Sequence, residues 1–192
     1  WNAARFTFMN LIDGIPPVVD LRQENLDISD KWIISRFEET AFNVNKELNN
    51  YRFNEAAKAI YEFTWNDFCD WYVEIAKIRL YGDDPKKADI ARTVLIHVLK
   101  GILTLLHPYS PFITEELWSY FKTKNEKDLI ISPWINGKVL KNEQVFDSMD
   151  LLQQIVTSIR AIRSQLNIPP KKRATVYIAN SESFKEMILS FD

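Results

Sequence analysis

Asp67, Asp70 and Glu74 fall within about two turns of a single helical segment, and acids grouped in this way are the raw material of general acid and base catalysis. No histidine stands at helical spacing to any of them, so the three read as a solvated or salt-bridged helix face. His97 and His107 lie within or beside apolar runs, where packing or capping accounts for them better than ligation. With a single cysteine, Cys69, the chain has no internal disulfide, and one Cys with two His is too small a set for a four-ligand structural zinc site. The sequence has no glycine-rich phosphate loop, no Gly-x-Ser-x-Gly elbow and no cluster of metal ligands. Neither a catalytic site nor a metal site is expected in these residues.

The first helix offers different chemistry. At 100° per residue, Trp1, Arg5, Phe8 and Ile12 share one stripe, and Phe6 stands well away from it. Asn2 lies one turn before Phe6, Asn10 one turn after, and Thr7 beside it, so an aromatic ring is set among uncharged hydrogen-bonding groups. Such a set suits single-stranded RNA, where an unstacked base lies on a ring while amides and hydroxyls read its edge. Packing of Phe6 against a neighbouring helix fits the same residues equally well. A second candidate is the basic group Arg160, Lys171, Lys172 and Arg173, which can meet RNA phosphates or form a plain surface turn.

The elements that must position these residues are mainly helices. Only four glycines occur in 192 residues, 46% of which are hydrophobic, which favours long helices over a turn-rich sheet. Asp27, Ser29 or Asp30 can cap a second helix, and Asn54 a third, whose stripe runs through Ala57, Ile60, Tyr61, Thr64, Phe68, Trp71, Tyr72, Ile75 and Ile78. Asp84 followed by Pro85 starts a fourth helix. In LLHPYSPFITEELW, residues 105–118, two prolines force a corner, after which Ser110 can cap a fifth helix with Pro111 at its first position. Residues 1–146 are thus expected to form an antiparallel helical bundle with an irregular tail. Residues 147–192 are expected to hold a connecting helix at 147–167 and the start of a truncated α/β subdomain, with a strand through Ala174, Val176 and Ile178 and a short helix after it. On the connecting helix Arg163 falls in the apolar stripe, so it must pair with a carboxylate or a backbone carbonyl or extend to the surface.

The 24 basic and 26 acidic residues leave a net charge of −2, so no general affinity for nucleic acid follows and any RNA contact must be local. No run reaches the roughly 20 apolar residues of a membrane span, and cysteine usage fits a reducing, cytoplasmic setting. The chain opens at Trp1, inside a helical pattern already under way, and reads as a piece of a larger protein.

Four stretches, WNAARF, YRFNEAAKAIYEFTWNDFCDWYVEIAKIRLYGDD, LLHPYSPFITEELW and RAIRSQLNIPP, occur in the order and spacing of the valyl-tRNA synthetases, a family of class I aminoacyl-tRNA synthetases. The chain closely resembles their helical anticodon-binding domain from Trp1 to about Ala179, and FCDWYVE favours the valyl over the isoleucyl and leucyl enzymes. The family's usual HPFMPF corner is here His107, Pro108, Tyr109, Ser110, Pro111 and Phe112, a departure within a packing element. The resemblance implies that Asn2, Arg5 and Phe6 belong to the anticodon contact, that the partners are valine tRNA and the catalytic and editing domains of the same parent chain, and that the double-proline corner makes the bundle a rigid platform. It also implies a parent enzyme that joins valine to its tRNA with ATP and magnesium through an aminoacyl-adenylate, while an editing domain removes threonine. The family's HIGH and KMSKS signatures are absent from these residues, and its basic coiled coil would begin beyond Asp192. A helical protein-interaction scaffold, using Phe6 and the face of Arg160 and Arg163, is the alternative. The chain alone is therefore expected to fold yet show no valine-dependent exchange of pyrophosphate into ATP, measured in a preparation free of full-length enzyme.

Overall fold

The computed structural model describes residues 1–11, 26–139, 142–169, 172, 173, 175 and 177. The chain divides into two compact units, Trp1–Lys141 and Asn142–Asp192. Unit 1 contains helices α1 (Asn2–Met9), α2 (Ile28–Asn49), α3 (Phe53–Glu62), α4 (Val73–Leu80), α5 (Pro85–Leu106) and α6 (Pro111–Phe121). A π-helical segment, Phe63–Tyr72, joins α3 to α4 without interruption. The protein is mainly α, as expected.

Helix α5 is the centre of this bundle. It packs against α1, α2, α3, α4 and α6, and Val94, Leu95, Val98, Ile102 and Leu105 are buried on it. Helices α2 and α5 approach closely at Gly101, where an added Cβ would lie 2.1 Å from the Phe37 ring. Local signals set most helix starts. Asp27 caps α2 in a reciprocal capping box with Asp30, and Asp84 accepts from the Lys86 and Lys87 amides ahead of α5, with Pro85 at the first position. Asn54 does not cap α3, whose N-cap is Arg52, two residues earlier.

The double-proline corner joins α5 to α6. Ser110 occupies the N-cap of α6, but its hydroxyl makes no capping bond, and its carbonyl instead accepts from the Thr114 hydroxyl at 2.8 Å. His107 Nδ1 sits 2.8 Å from Thr114 Oγ1, and the Tyr109 hydroxyl donates to the Phe53 carbonyl at 2.8 Å. After α6 the chain is irregular apart from a 3-10 turn, Leu129–Ile131, and it is strapped down by side chains. Trp118 Nε1 donates to the Lys127 carbonyl at 3.0 Å, Trp134 Nε1 donates to Asn45 Oδ1 at 2.7 Å, and Asn45 Nδ2 returns a bond to the Ile135 carbonyl at 2.8 Å. Gly137 closes this strap with φ +63°, where a Cβ would come within 2.3 Å of the Phe42 amide.

The long helix departs from the stripe its sequence implies. Its buried residues are Ala56, Ile60, Phe63, Phe68, Tyr72, Val73, Ala76 and Leu80, while Tyr61 and Ile78 are exposed. Across the π-helical segment the buried positions run Phe63, Phe68, Tyr72 and Val73, at the intervals of four to five that its wider i to i+5 turns produce, with α-helical intervals before and after. A 3.6-residue period carried straight through puts Tyr61 and Ile78 inward and misses Ala76 and Leu80.

Unit 2 contains α7 (Glu143–Gln165), which begins four residues ahead of the expected start at 147. Asn167 adopts a left-handed φ of 51°, which ends the helix. Arg163 Nη2 then donates to the Pro169 and Lys172 carbonyls, both at 2.8 Å, so of the three outcomes open to the arginine the backbone pairing is the one observed. Among the described residues there is no strand, and Ala174, Val176, Ile178 and the helix expected after them lie outside the described residues.

One buried charge cluster ties unit 1 together. Asp30 on α2 is fully buried, and it accepts bonds from Arg79 Nη1 at 2.6 Å, Arg79 Nη2 at 2.7 Å and the Tyr72 hydroxyl at 2.6 Å. Burial pushes the Asp30 carboxyl above the usual range, and the Arg79 guanidinium pulls it back. The Tyr72 phenol is driven well up, by burial first and then by the Asp30 charge. Arg79→Met would strand a buried carboxylate and should cost about 3 to 5 kcal/mol of stability, read from the urea unfolding midpoint.

Candidate nucleic-acid interface

Helix α1 lies on α5 and α6 through its small residues. Ala4 is buried, and so are Thr7 and Asn10, whereas Trp1, Asn2, Arg5, Phe8 and Met9 are exposed. The buried face is therefore not the stripe of Trp1, Arg5 and Phe8, since bulky side chains there would hold the helix away from α5. Two of the groups expected beside Phe6 face inward. Thr7 Oγ1 donates to the Ala3 carbonyl at 3.0 Å, and Asn10 Nδ2 donates to the Phe6 carbonyl at 2.8 Å. Both are bonds back to a preceding turn of the same helix, a common use of short polar side chains. The Asn10 carbonyl in turn accepts from Arg92 Nε at 2.9 Å, which fastens the end of α1 to α5.

Asn2, Arg5 and Phe6 remain toward solvent, Phe6 half-buried. Lys77 of α4 stands over the Phe6 ring with its Nζ 5.4 Å from the centroid, within the range of a cation-π contact. The same ammonium donates to Glu74 Oε1 at 2.6 Å. Neither Lys77 nor Glu74 was assigned to α1 by sequence. The pair is visible as an i, i+3 spacing, but only the π-helical register turns it toward Phe6.

On the other side of α1 lies an apolar groove of about 250 Å³ lined by Trp1, Arg5, Phe8, Leu117, Tyr120 and Phe121. Phe8 meets Tyr120 and Phe121 edge to face, at centroid distances of 5.6 and 6.4 Å. Helix α1 thus presents an aromatic groove on one flank and a polar, cation-capped ring on the other.

The acids of the long helix do not converge. Asp67 pairs with Arg36 at 3.0 Å, Glu74 with Lys77, and Asp70 is exposed, which is the salt-bridged face expected for them. Among the described residues no group of His, Cys, Asp and Glu could hold a metal ion, and no helix is long and apolar enough to cross a membrane. In unit 2, Arg160, Lys172 and Arg173 are exposed, and Lys171 lies outside the described residues.

Comparison with known proteins places these features in context. Residues 30–178 match the family described as the anticodon-binding domain of tRNA ligase. The valine–tRNA ligase of Carboxydothermus hydrogenoformans is 42% identical over 183 residues, covering 95% of this chain and 20% of that protein. Those of Geobacillus stearothermophilus and Syntrophotalea carbinolica are each 38% identical, over 95% and 90% of this chain and 21% and 20% of their own lengths. The chain spans about one fifth of the length of these relatives.

Proposed function

Because the chain belongs to the anticodon-binding domain family of tRNA ligases, we propose that it binds the anticodon region of valine tRNA and positions that tRNA for aminoacylation by a parent enzyme. The observation that carries this reading is the solvent face of α1, where Asn2, Arg5 and Phe6 remain accessible after Thr7 and Asn10 have turned inward. A ring with one amide and one guanidinium near it can stack a base, bond to its edge and meet a phosphate. With a net charge of −2 the attraction must come from such local groups, here Arg5 and Lys77, and in unit 2 from Arg160, Lys172 and Arg173.

In the proposed parent, a catalytic domain joins valine to its tRNA in the cytoplasm with ATP and magnesium, an editing domain removes threonine, and this chain would serve both. The described residues do not fit either cofactor, for they supply neither a metal-holding cluster nor a glycine-rich phosphate loop. A scaffold reading draws on the apolar groove beside Trp1 and Phe8, which suits a protein partner.

The chain should bind valine tRNA more tightly than tRNAs carrying other anticodons, with affinity that falls as salt rises. Tight binding of a protein with no RNA binding would favour the scaffold. Phe6→Ala should weaken valine tRNA binding by about 1 to 3 kcal/mol, the worth of one stacked base, and leave thermal melting nearly unchanged. A melting collapse equivalent to about 3 to 5 kcal/mol, with normal binding by the remaining folded protein, would make Phe6 a core residue instead.

A further inference from the structure

We propose that the groove between the first turns of α6 and the 3-10 turn after it is a docking surface for a separate protein, and that it takes a basic amphipathic helix of that partner. The groove has a volume of about 550 Å³, and its walls include Phe112, Glu115, Glu116, Asp128 and Ile130. Two of its apolar side chains serve no packing within the bundle. Helix α6 buries Thr114, Leu117, Trp118 and Phe121, and Phe112 falls outside that stripe, 91% exposed. In the 3-10 turn Leu129 is the buried residue, while Ile130 is 73% exposed. Polar residues at both places would leave the core as it is, and a partner lying over them would take both from water. Glu115 holds the walls in position. Its two carboxylate oxygens accept from the Leu129 and Ile130 amides at 2.8 and 3.1 Å, which pins the 3-10 turn to α6. The groove is thus formed before any partner arrives.

The charge of the groove selects the occupant. Glu115 is held by neutral amides and Glu116 by the neutral Tyr120 hydroxyl at 3.0 Å, so hydrogen bonding cancels neither charge. Lys122 pairs with Asp128 and lies within electrostatic reach of Glu115, and no lysine or arginine lines the groove itself. Three carboxylates are therefore set against one ammonium. Such a surface repels the phosphates of RNA and of an anionic membrane, and it attracts lysine and arginine. The occupant must also cover Phe112 and Ile130, which stand largely in solvent, and a small cation seated between the walls would not reach over them. A basic helix with an apolar stripe does both: the stripe lies along Phe112 and Ile130, and cations on its flank meet Glu115 and Glu116. A domain tethered in the same chain already has a high effective concentration, whereas complementary charge chiefly speeds encounter and sorts partners that come and go. The charge here thus fits a separate, exchanging protein.

The test uses the chain and two acetylated peptides of about 14 residues, long enough to form a helix, that share one leucine stripe and carry either lysine or glutamate elsewhere. Binding is read by titration calorimetry. The lysine peptide should saturate a single site, and the glutamate peptide should bind at least about tenfold more weakly. Phe112→Ala should weaken the lysine peptide on the order of tenfold. Glu116→Gln, which keeps an acceptor for Tyr120, should weaken it about threefold and make its salt dependence shallower. Both residues are exposed, so melting of the two variants should match wild type. The inference is overturned if the lysine peptide does not bind, or if it binds and neither variant changes its affinity. It is overturned as well if oligouridylate displaces the peptide, since the face then takes RNA. Binding to the chain but not to the full-length enzyme would overturn it too, because another domain then covers the groove. None of these failures touches the reading of α1, since no residue of α1 lines this groove.

Discussion

Two charges buried against one another hold this fold in register. Asp30 has no access to water, and the Arg79 guanidinium meets it with two parallel bonds while Tyr72 supplies a third. Neither charge is tolerable in the core without the other, so the N-terminus of α2 and the C-terminal part of α4 have one permitted alignment. Segment α3, the π-helical turns and α4 form a single rod, and fixing Arg79 fixes the rotation of the whole rod. Lys77, two residues before Arg79, is thereby turned toward α1 and Phe6. The setting of Lys77 against Phe6 thus depends on a polar cluster at a different place on the rod.

Around that alignment the bundle is closed by short, well-bonded links. The corner between α5 and α6 is held by His107, Thr114 and Tyr109, and the irregular segment beyond α6 is bound to α2 through Asn45 and to α6 through Trp118. Small residues let α1 lie close on α5: Ala4 and Thr7 face inward, and Arg92 grips the helix end. Close seating leaves the larger side chains, Trp1, Arg5 and Phe8, on the flanks.

Sequence made legible the features governed by neighbouring residues. The cap at Asp84 with Pro85 and the proline corner depend on groups a few positions apart and were found, while the cap at Asp27 was one of three candidates and the backbone pairing of Arg163 one of three outcomes that spacing left open. A stripe extrapolated over some twenty residues failed at both ends, because it assumed one period where the rod uses two. For α1 the polar residues were identified but their direction was not: Thr7 and Asn10 spend their donors on carbonyls of their own helix, a local competition that spacing alone does not resolve. Lys77 and Glu74 lay beyond sequence reasoning because their meeting with Phe6 joins segments some seventy positions apart through a register set by the π-helical turns.

Those turns make the rod tolerant of chain length in a way ordinary helices are not. The i to i+5 bonds accommodate more residues per turn than an α-helix does, so losing one residue between Phe63 and Tyr72 would let the segment relax toward α geometry without breaking the rod. Everything downstream would then keep its direction, whereas the same loss within an α-helical stretch would swing it by roughly 100° about the axis. Arg79 would still meet Asp30, and Lys77 would still stand by Phe6. Over this stretch related sequences should therefore tolerate a one-residue gap better than they do in the α-helical turns that flank it.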